Sequence, residues 1–301
     1  MRERVPEELE NEDPVLAILR RLESESYIAD PAIATSIYMA QALERPLLIE
    51  GRAGVGKTEI AIVMARLLDT TLIRLQCYEG LDVTTALYEW NYQKQLLWMK
   101  LNEQSAKSAE EREGEIFSEA FLLERPLLAA LTKKDKPPVL LIDEVDRADE
   151  EFEAFLLEVL SEFQVTIPEI GTIKAVHKPL VILTSNRSRD LSDALRRRCL
   201  YLWIDYPDFD KELRIVRSKV DGIEEKLARQ VVRFVESARQ VGLEKAPGIS
   251  ETLDWARVMV ILHMDHLDSE AVERTLGAII KDADDLERFR RETIDEILSK
   301  I

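Results

Sequence analysis

Residues 51–58 read GRAGVGKT, and every position of the pattern GxxxxGK[ST] is filled by a residue suited to gripping a triphosphate. Gly51, Gly54 and Gly56, with Arg52, Ala53 and Val55 between them, let backbone N–H groups curl around phosphate oxygens. Lys57 has the reach for the β- and γ-phosphates, and the Thr58 hydroxyl is a ligand for Mg²⁺. Glu59 closes the stretch expected to line the nucleotide. A glycine loop that merely turned a strand into a helix would not need Lys57-Thr58. The expected ligands are therefore ATP and Mg²⁺.

Residues 139–144, VLLIDE, are an apolar run ending in two carboxylates. At the end of a strand, Asp143 suits the Mg²⁺ shell, and Glu144 suits the polarising of a water for in-line attack on a γ-phosphate. Acidic residues here also favour a helix N-terminus; that accounts for Asp149, Glu150 and Glu151 but not for a pair directly after an apolar strand. Ser185 and Asn186 follow the run LVILT at the strand edge where open α/β sheets bind ligands. The Asn186 amide there either orients the attacking water or closes a simple Asx-turn. Arg196, Arg197 and Arg198 stand in a row, as an arginine finger for a phosphate or as solvated basic residues.

The elements that must hold these residues follow from the apolar rhythm. Strands are predicted over 46–50, 71–77, 139–142, 180–184 and 199–204, each rich in Leu, Ile or Val and separated by helical patterns, as in a parallel sheet covered by helices. A helix is predicted over 149–162, where Phe152, Phe155, Leu156, Val159 and Leu160 share one face with glutamates on the other side. Beyond Tyr206-Pro207 only helices are predicted, over 208–219, 224–241, 251–265 and 269–298, and the run 283–301 reads as an amphipathic helix. The polar stretch 102–115 is expected to be an exposed helix or a partly disordered crossover.

Composition narrows the function. The chain has 301 residues, 46% of them hydrophobic, enough for a large and a smaller domain. Its 58 acidic against 41 basic side chains give a formal charge of −17, which repels a phosphate backbone and makes nucleic acid an unfavoured partner. The start, MRERVPEELENEDP, has no apolar core of signal type and no later run is of membrane-spanning length, so a cytoplasmic location is expected. Cys77 and Cys199 sit in apolar runs without CxxC spacing and read as reduced core residues. His263 and His266, beside Asp265 and Asp268, are read as an exposed helix surface rather than a metal site, because no third His or Cys lies nearby. Tyr88, Trp90, Tyr92 and Trp98 are assigned to packing first and to a partner or pore contact second.

With these residues in hand, the chain resembles the AAA+ ATPases, and among them the MoxR family. The segments GRAGVGKT, LLIDE followed by VDRA, LTSN and DALRRRC match in order over roughly residues 25–205. An insertion near 85–100 and a β-hairpin near 163–176 resemble the same clade. The wording RLQCYEGLD, ALYEWNYQKQLL and PGISETLDWA is most similar to the branch called CoxD, associated with maturation of a molybdenum-containing carbon monoxide dehydrogenase. The resemblance implies Lys57 and Thr58 in the phosphate loop, Asp143 in the magnesium shell, Glu144 as the catalytic glutamate and Asn186 as the first sensor. It places the arginine finger at Arg198, with Arg197 as runner-up. The second sensor, an arginine in the wider pattern, falls on Thr252, with Arg257 nearby as a substitute.

The resulting expectation is an α/β fold: a P-loop NTPase three-layer αβα domain over 1–207 followed by a helical lid over 208–301. The resemblance implies a homo-oligomeric ring, a hexamer, that hydrolyses ATP to remodel a client in a chaperone-like manner. It also implies a von Willebrand factor A domain partner and a metalloenzyme client. Two competing readings stay open: a DNA-directed motor subunit, disfavoured by the charge, and a P-loop small-molecule kinase, disfavoured by the LTSN segment, the arginine triplet and the helical tail.

Overall fold

A computed structural model describes residues 13–103, 107–289 and 291–301, without the side chains of 291 and 292. The N-terminal tract as far as residue 12 and positions 104–106 of the stretch 102–115 lie outside the described residues.

Among the described residues nine strands run in chain order as β1 (Leu47–Gly51), β2 (Leu72–Gln76), β3 (Tyr88–Trp90), β4 (Leu122–Glu124), β5 (Val139–Asp143), β6 (Gln164–Ile167), β7 (Gly171–Lys174), β8 (Leu180–Ser185) and β9 (Leu200–Ile204). Five of them form the main sheet, in the order β2-β5-β8-β1-β9. The pairs β1/β8, β5/β8 and β2/β5 are parallel. Every residue of β1 and β5 is buried, the pattern of strands covered on both faces. The helices between them complete the α/β P-loop NTPase fold, and after β9 the described residues form helices and no further strand.

The chain divides into two compact units, one of residues 32–50 and 61–202, the other of the described residues up to Pro31 together with Gly51–Ile60 and Trp203–Ile301. In the first, Leu48, Leu140, Ile142 and Leu183 from the sheet pack with Phe152, Leu156 and Val159 of the helix Glu150–Glu162. Glu153 of that helix is an exception to the predicted polar face: it is 1% exposed and pairs with Arg189 at 2.5 Å while accepting the backbone N–H of Ser192. In the second unit, Phe234 and Trp255 meet at 5.1 Å between ring centres in an all-helical core.

Side-chain caps start several of the helices. Ser108 and Glu111 form a reciprocal capping box at the start of Ala109–Ile116, a helix within the polar stretch. The hairpin β6/β7 pairs Gln164 with Lys174 and Ile167 with Gly171. The insertion comprises the helix Val83–Ala86, β3 and the helix Tyr92–Leu101, and β3 pairs antiparallel with β4. Trp90 is buried edge-on against Phe117, Trp98 is half-buried edge-on against Phe121, and Tyr92 is 62% exposed.

The tail departs from the single helix predicted over 269–298. It breaks into Ser269–Thr275, Ala283–Arg288 and Arg291–Leu298, because Asp282 caps a new start through the backbone N–H groups of Asp284 and Asp285, and Phe289 turns into the core. The helix predicted over 251–265 is Ile249–Ile261, so His263, with φ of 55°, and His266 lie beyond its end in a loop rather than on a helix surface. No cluster of His, Cys, Asp and Glu among the described residues is arranged to hold a metal ion. Both cysteines are free and buried, and burial pushes each thiol up to about 12. Among the described residues no helix is long and apolar enough to cross a membrane.

Candidate functional site

The phosphate loop belongs to the unit that also holds the C-terminal helices. The chain leaves β1 at Gly51, where a Cβ would sit 2.1 Å from the carbonyl oxygen of Ile204, so only glycine fits. Lys57 opens the helix Lys57–Leu67 and is 7% exposed. Its ammonium donates to the carbonyls of Gly51 at 2.9 Å and Arg52 at 2.7 Å, which holds the cation inside the curl of the loop. Thr58 follows, half-buried, and Val55 is buried. Glu59 pairs with Lys219 at 3.3 Å, and Arg52 lies 3.6 Å from Asp205 and over the Tyr206 ring.

The loop is also braced by helical residues. Ile249 N–H donates to Gly54 O at 2.8 Å, and a Cβ on Gly248 would meet Gly54 backbone atoms at 2.8 to 2.9 Å. Thr252 is fully buried and donates to Glu212 at 2.7 Å. Arg239 grips the same Glu212 with two nitrogens, at 2.6 and 2.7 Å, and donates to Pro247 O. Arg257 is half-exposed and pairs with Asp254 at 3.0 Å. Thr252 thus supports the backbone ahead of Ile249, and Arg239, which sequence reasoning missed, is the buried arginine of this region.

In the other unit, the register places Glu50 opposite Ser185 and Ile142 opposite Leu183, so the carboxyl ends of β1, β8 and β5 form one edge. Asp143 ends β5 with a side chain 4% exposed; its Oδ1 accepts the Thr184 hydroxyl and its Oδ2 meets Arg74 at 2.5 Å. Glu144 takes the left-handed conformation, φ 54°, a strained choice for a non-glycine that turns the chain sharply at the strand end. Its backbone N–H is held by Thr184 Oγ1 at 2.9 Å. Its carboxylate accepts from Gln76 at 3.1 Å, Arg147 at 2.9 Å and the Asn186 amide at 3.4 Å. The turn after β8 is closed by Ser185 Oγ accepting from Arg187 N–H, which leaves the Asn186 side chain directed at Glu144.

Asp146 anchors this edge. It is 2% exposed and accepts the N–H of Asn186 at 3.2 Å and both the N–H and hydroxyl of Ser188 at 2.7 Å. Burial by itself would raise its pKa, but the hydroxyl and backbone N–H donors outweigh it and hold the carboxyl below its ordinary range.

The arginine triplet is split by its surroundings. Arg196 is turned inward onto Glu50, which is fully buried and also accepts Tyr201 OH at 3.0 Å. Arg197 and Arg198 are exposed, and no ion pair is made by either among the described residues. Arg45 donates to their carbonyls, at 2.8 Å to Arg197 and 3.2 Å to Arg198, and so pins the end of the helix Asp193–Arg198. The structure therefore brings Asp143, Glu144 and Asn186 together, with Arg74, Gln76, Asp146 and Ser188 as residues that motif reading did not single out. Arg74 and Gln76 alternate in RLQC, and period-two spacing on a strand was the available signal.

These features define a nucleotide-binding α/β protein. The model of the AAA domain (dynein-related subfamily) matches residues 46–199, and the chain belongs to that family. It is an ATPase, and its ligands are ATP and Mg²⁺. The residues present fit both: a buried ammonium inside a glycine loop, and a fixed carboxylate at a strand end. The chain is 25% identical over 245 residues to an uncharacterized protein of Staphylococcus aureus (strain bovine RF122 / ET3-1), covering 78% of this chain and 84% of the relative. A second uncharacterized S. aureus protein (strain NCTC 8325 / PS 47) is 24% identical over the same shares. Among solved structures, the Thermotoga maritima RuvB Holliday junction branch migration motor aligns with a TM-score of 0.46 and 18% identity, over 86% of this chain and 68% of that one.

Proposed function

We propose that this ATPase works as a homo-oligomeric ring, a hexamer, in which each site is completed by an arginine from the next subunit, and that hydrolysis remodels a client protein. One observation carries this reading: Arg196 is satisfied within its own subunit by Glu50, whereas Arg197 and Arg198 extend from a pinned backbone. Two exposed cations held on a fixed frame suit a finger offered to a neighbour's γ-phosphate, with Arg198 first and Arg197 second.

The remaining roles follow from the residues. Lys57 and residues 51–59, the loop and the first turn of the helix Lys57–Leu67, grip the phosphates through the ammonium and backbone N–H groups. Thr58 and Asp143 hold Mg²⁺, which when bound neutralises charge on the phosphate oxygens. Glu144 takes a proton from the attacking water as the γ-phosphorus bond to the bridging oxygen breaks, and Asn186 steadies Glu144 and that water.

Mixing tests the shared site. Glu144→Gln subunits lack the base but keep the finger, and Arg198→Ala subunits lack the finger but keep the base. Each alone should be inactive, and a mixture should regain ATPase activity at interfaces pairing an intact Glu144 with an intact Arg198. A mixture as inactive as its parts would refute a site completed in trans.

The client reading rests on the MoxR resemblance and its CoxD branch: maturation of a molybdenum-containing dehydrogenase, alongside a von Willebrand factor A domain partner, in the cytoplasm. Purified candidate partners added to the ATPase should raise its turnover; stimulation by DNA instead would favour a DNA-directed motor.

A further inference from the structure

Asp143 already holds a cation that belongs to the protein. Arg74 lies on β2, the edge strand, two residues before Gln76, whose Cα stands opposite that of Asp143 in the β2/β5 register. Residues two apart on a strand share a face, so Arg74 and Gln76 point the same way. One guanidinium nitrogen, Nη2, lies 2.5 Å from Asp143 Oδ2 and 2.6 Å from Gln76 Oε1.

The pair is asymmetric. The Asp143 side chain is 4% exposed and that of Arg74 is 53% exposed. Asp143 is fixed, since its other oxygen accepts Thr184 and its neighbour's N–H is tied to the same hydroxyl. Arg74 stands on a long flexible stem open to solvent, and is the partner able to move. A divalent cation bound to Asp143 would repel a guanidinium seated on the same oxygen, and burial of the carboxylate lessens the screening.

Resting on the reading of Asp143 as the magnesium carboxylate, we propose that Arg74 is a built-in competitor of Mg²⁺. In the metal-free protein Arg74 neutralises Asp143 within a group of acids that includes Glu144 and Asp146. When Asp143 takes metal, Arg74 withdraws. The same nitrogen holds Gln76 Oε1, and Gln76 Nε2 donates to Glu144 Oε2 at 3.1 Å.

The test is a titration of Mg²⁺ into the full chain carrying a fluorescent, non-hydrolysable ATP analogue, with the half-saturating concentration as the readout. Arg74→Gln should lower it roughly fivefold, the scale of a half-exposed ion pair, and leave analogue binding in EDTA unchanged. Arg74→Lys, which restores a cation, should return it toward the parent. An unchanged midpoint in folded Arg74→Gln overturns the proposal, and a raised midpoint overturns it too, by making Arg74 a phosphate ligand. Thermal unfolding checks that the variant is folded, and Arg74→Met, which keeps the stem, takes its place otherwise. Asp143→Asn separates the two claims. If it leaves the Mg²⁺ midpoint at the parental value, the assignment of Asp143 fails; if it abolishes the dependence while Arg74→Gln does nothing, only the competitor fails.

Discussion

Arg196 clasps Glu50 at two points, Nη2 to Oε1 at 2.9 Å and Nη1 to Oε2 at 3.3 Å, and the carboxylate it covers is fully buried. A buried charge that loses its partner is far more costly than a surface pair that is broken. Arg196→Ala should therefore destabilise the fold by about 2–4 kcal/mol, whereas exposed Arg198→Ala should change stability by no more than about 0.5 kcal/mol. Urea unfolding followed by circular dichroism measures both; equal losses would mean that Arg187, 3.9 Å from the same carboxylate, and Tyr201 suffice as its partners.

Glu144→Gln removes the group proposed to accept the proton but keeps an amide able to meet Asn186 and Gln76. Turnover should fall by about 10²–10⁴-fold while nucleotide still binds. Steady-state phosphate release and calorimetric titration together decide it. A variant hydrolysing ATP at the parental rate would move the base elsewhere.

Gly248→Ala places a methyl within 2.9 Å of the Gly54 backbone, in a position where neither chain segment is a flexible side-chain end. The phosphate loop or the start of Ile249–Ile261 must shift, at a cost of about 1–3 kcal/mol. Nucleotide affinity should drop with stability, as read by calorimetry. Gly222→Ala, at a glycine with φ of 78° and no backbone within 4 Å, is the control: it should lower stability without altering nucleotide affinity.

Asp146 titrates below its ordinary value of 3.8, because hydroxyl and backbone donors overcome the opposing effect of burial. An acid with a depressed folded pKa binds fewer protons folded than unfolded, so its contribution is complete above the unfolded value and is lost as pH falls through the folded one. Stability should decline below about pH 4 more steeply in the parent than in Asp146→Asn, which cannot titrate. Parallel slopes in pH-dependent unfolding would show that Asp146 carries none of it.

Much of this was readable in linear order. Residues 51–58 are contiguous, so their pattern is complete in the chain itself, and the apolar runs became β1, β2, β5, β8 and β9 with ends displaced by a residue or so. Buried strands announce themselves because both faces are apolar. Helix ends were less legible where a local competitor intervened, as Asp282 and Phe289 do in the tail.

What linear order could not supply was the set of partners. Arg74 meets Asp143 across 69 positions because β2 lies beside β5, and Arg196, on the helix Asp193–Arg198 just ahead of β9, meets Glu50 of β1 across 146 because β9 lies beside β1. Strand order and register arise when the whole sheet assembles. A side chain's neighbours across a sheet therefore have no local pattern to betray them, and the tertiary fold alone separated Arg196 from Arg197 and Arg198 and set Arg74 against the carboxylate of Asp143.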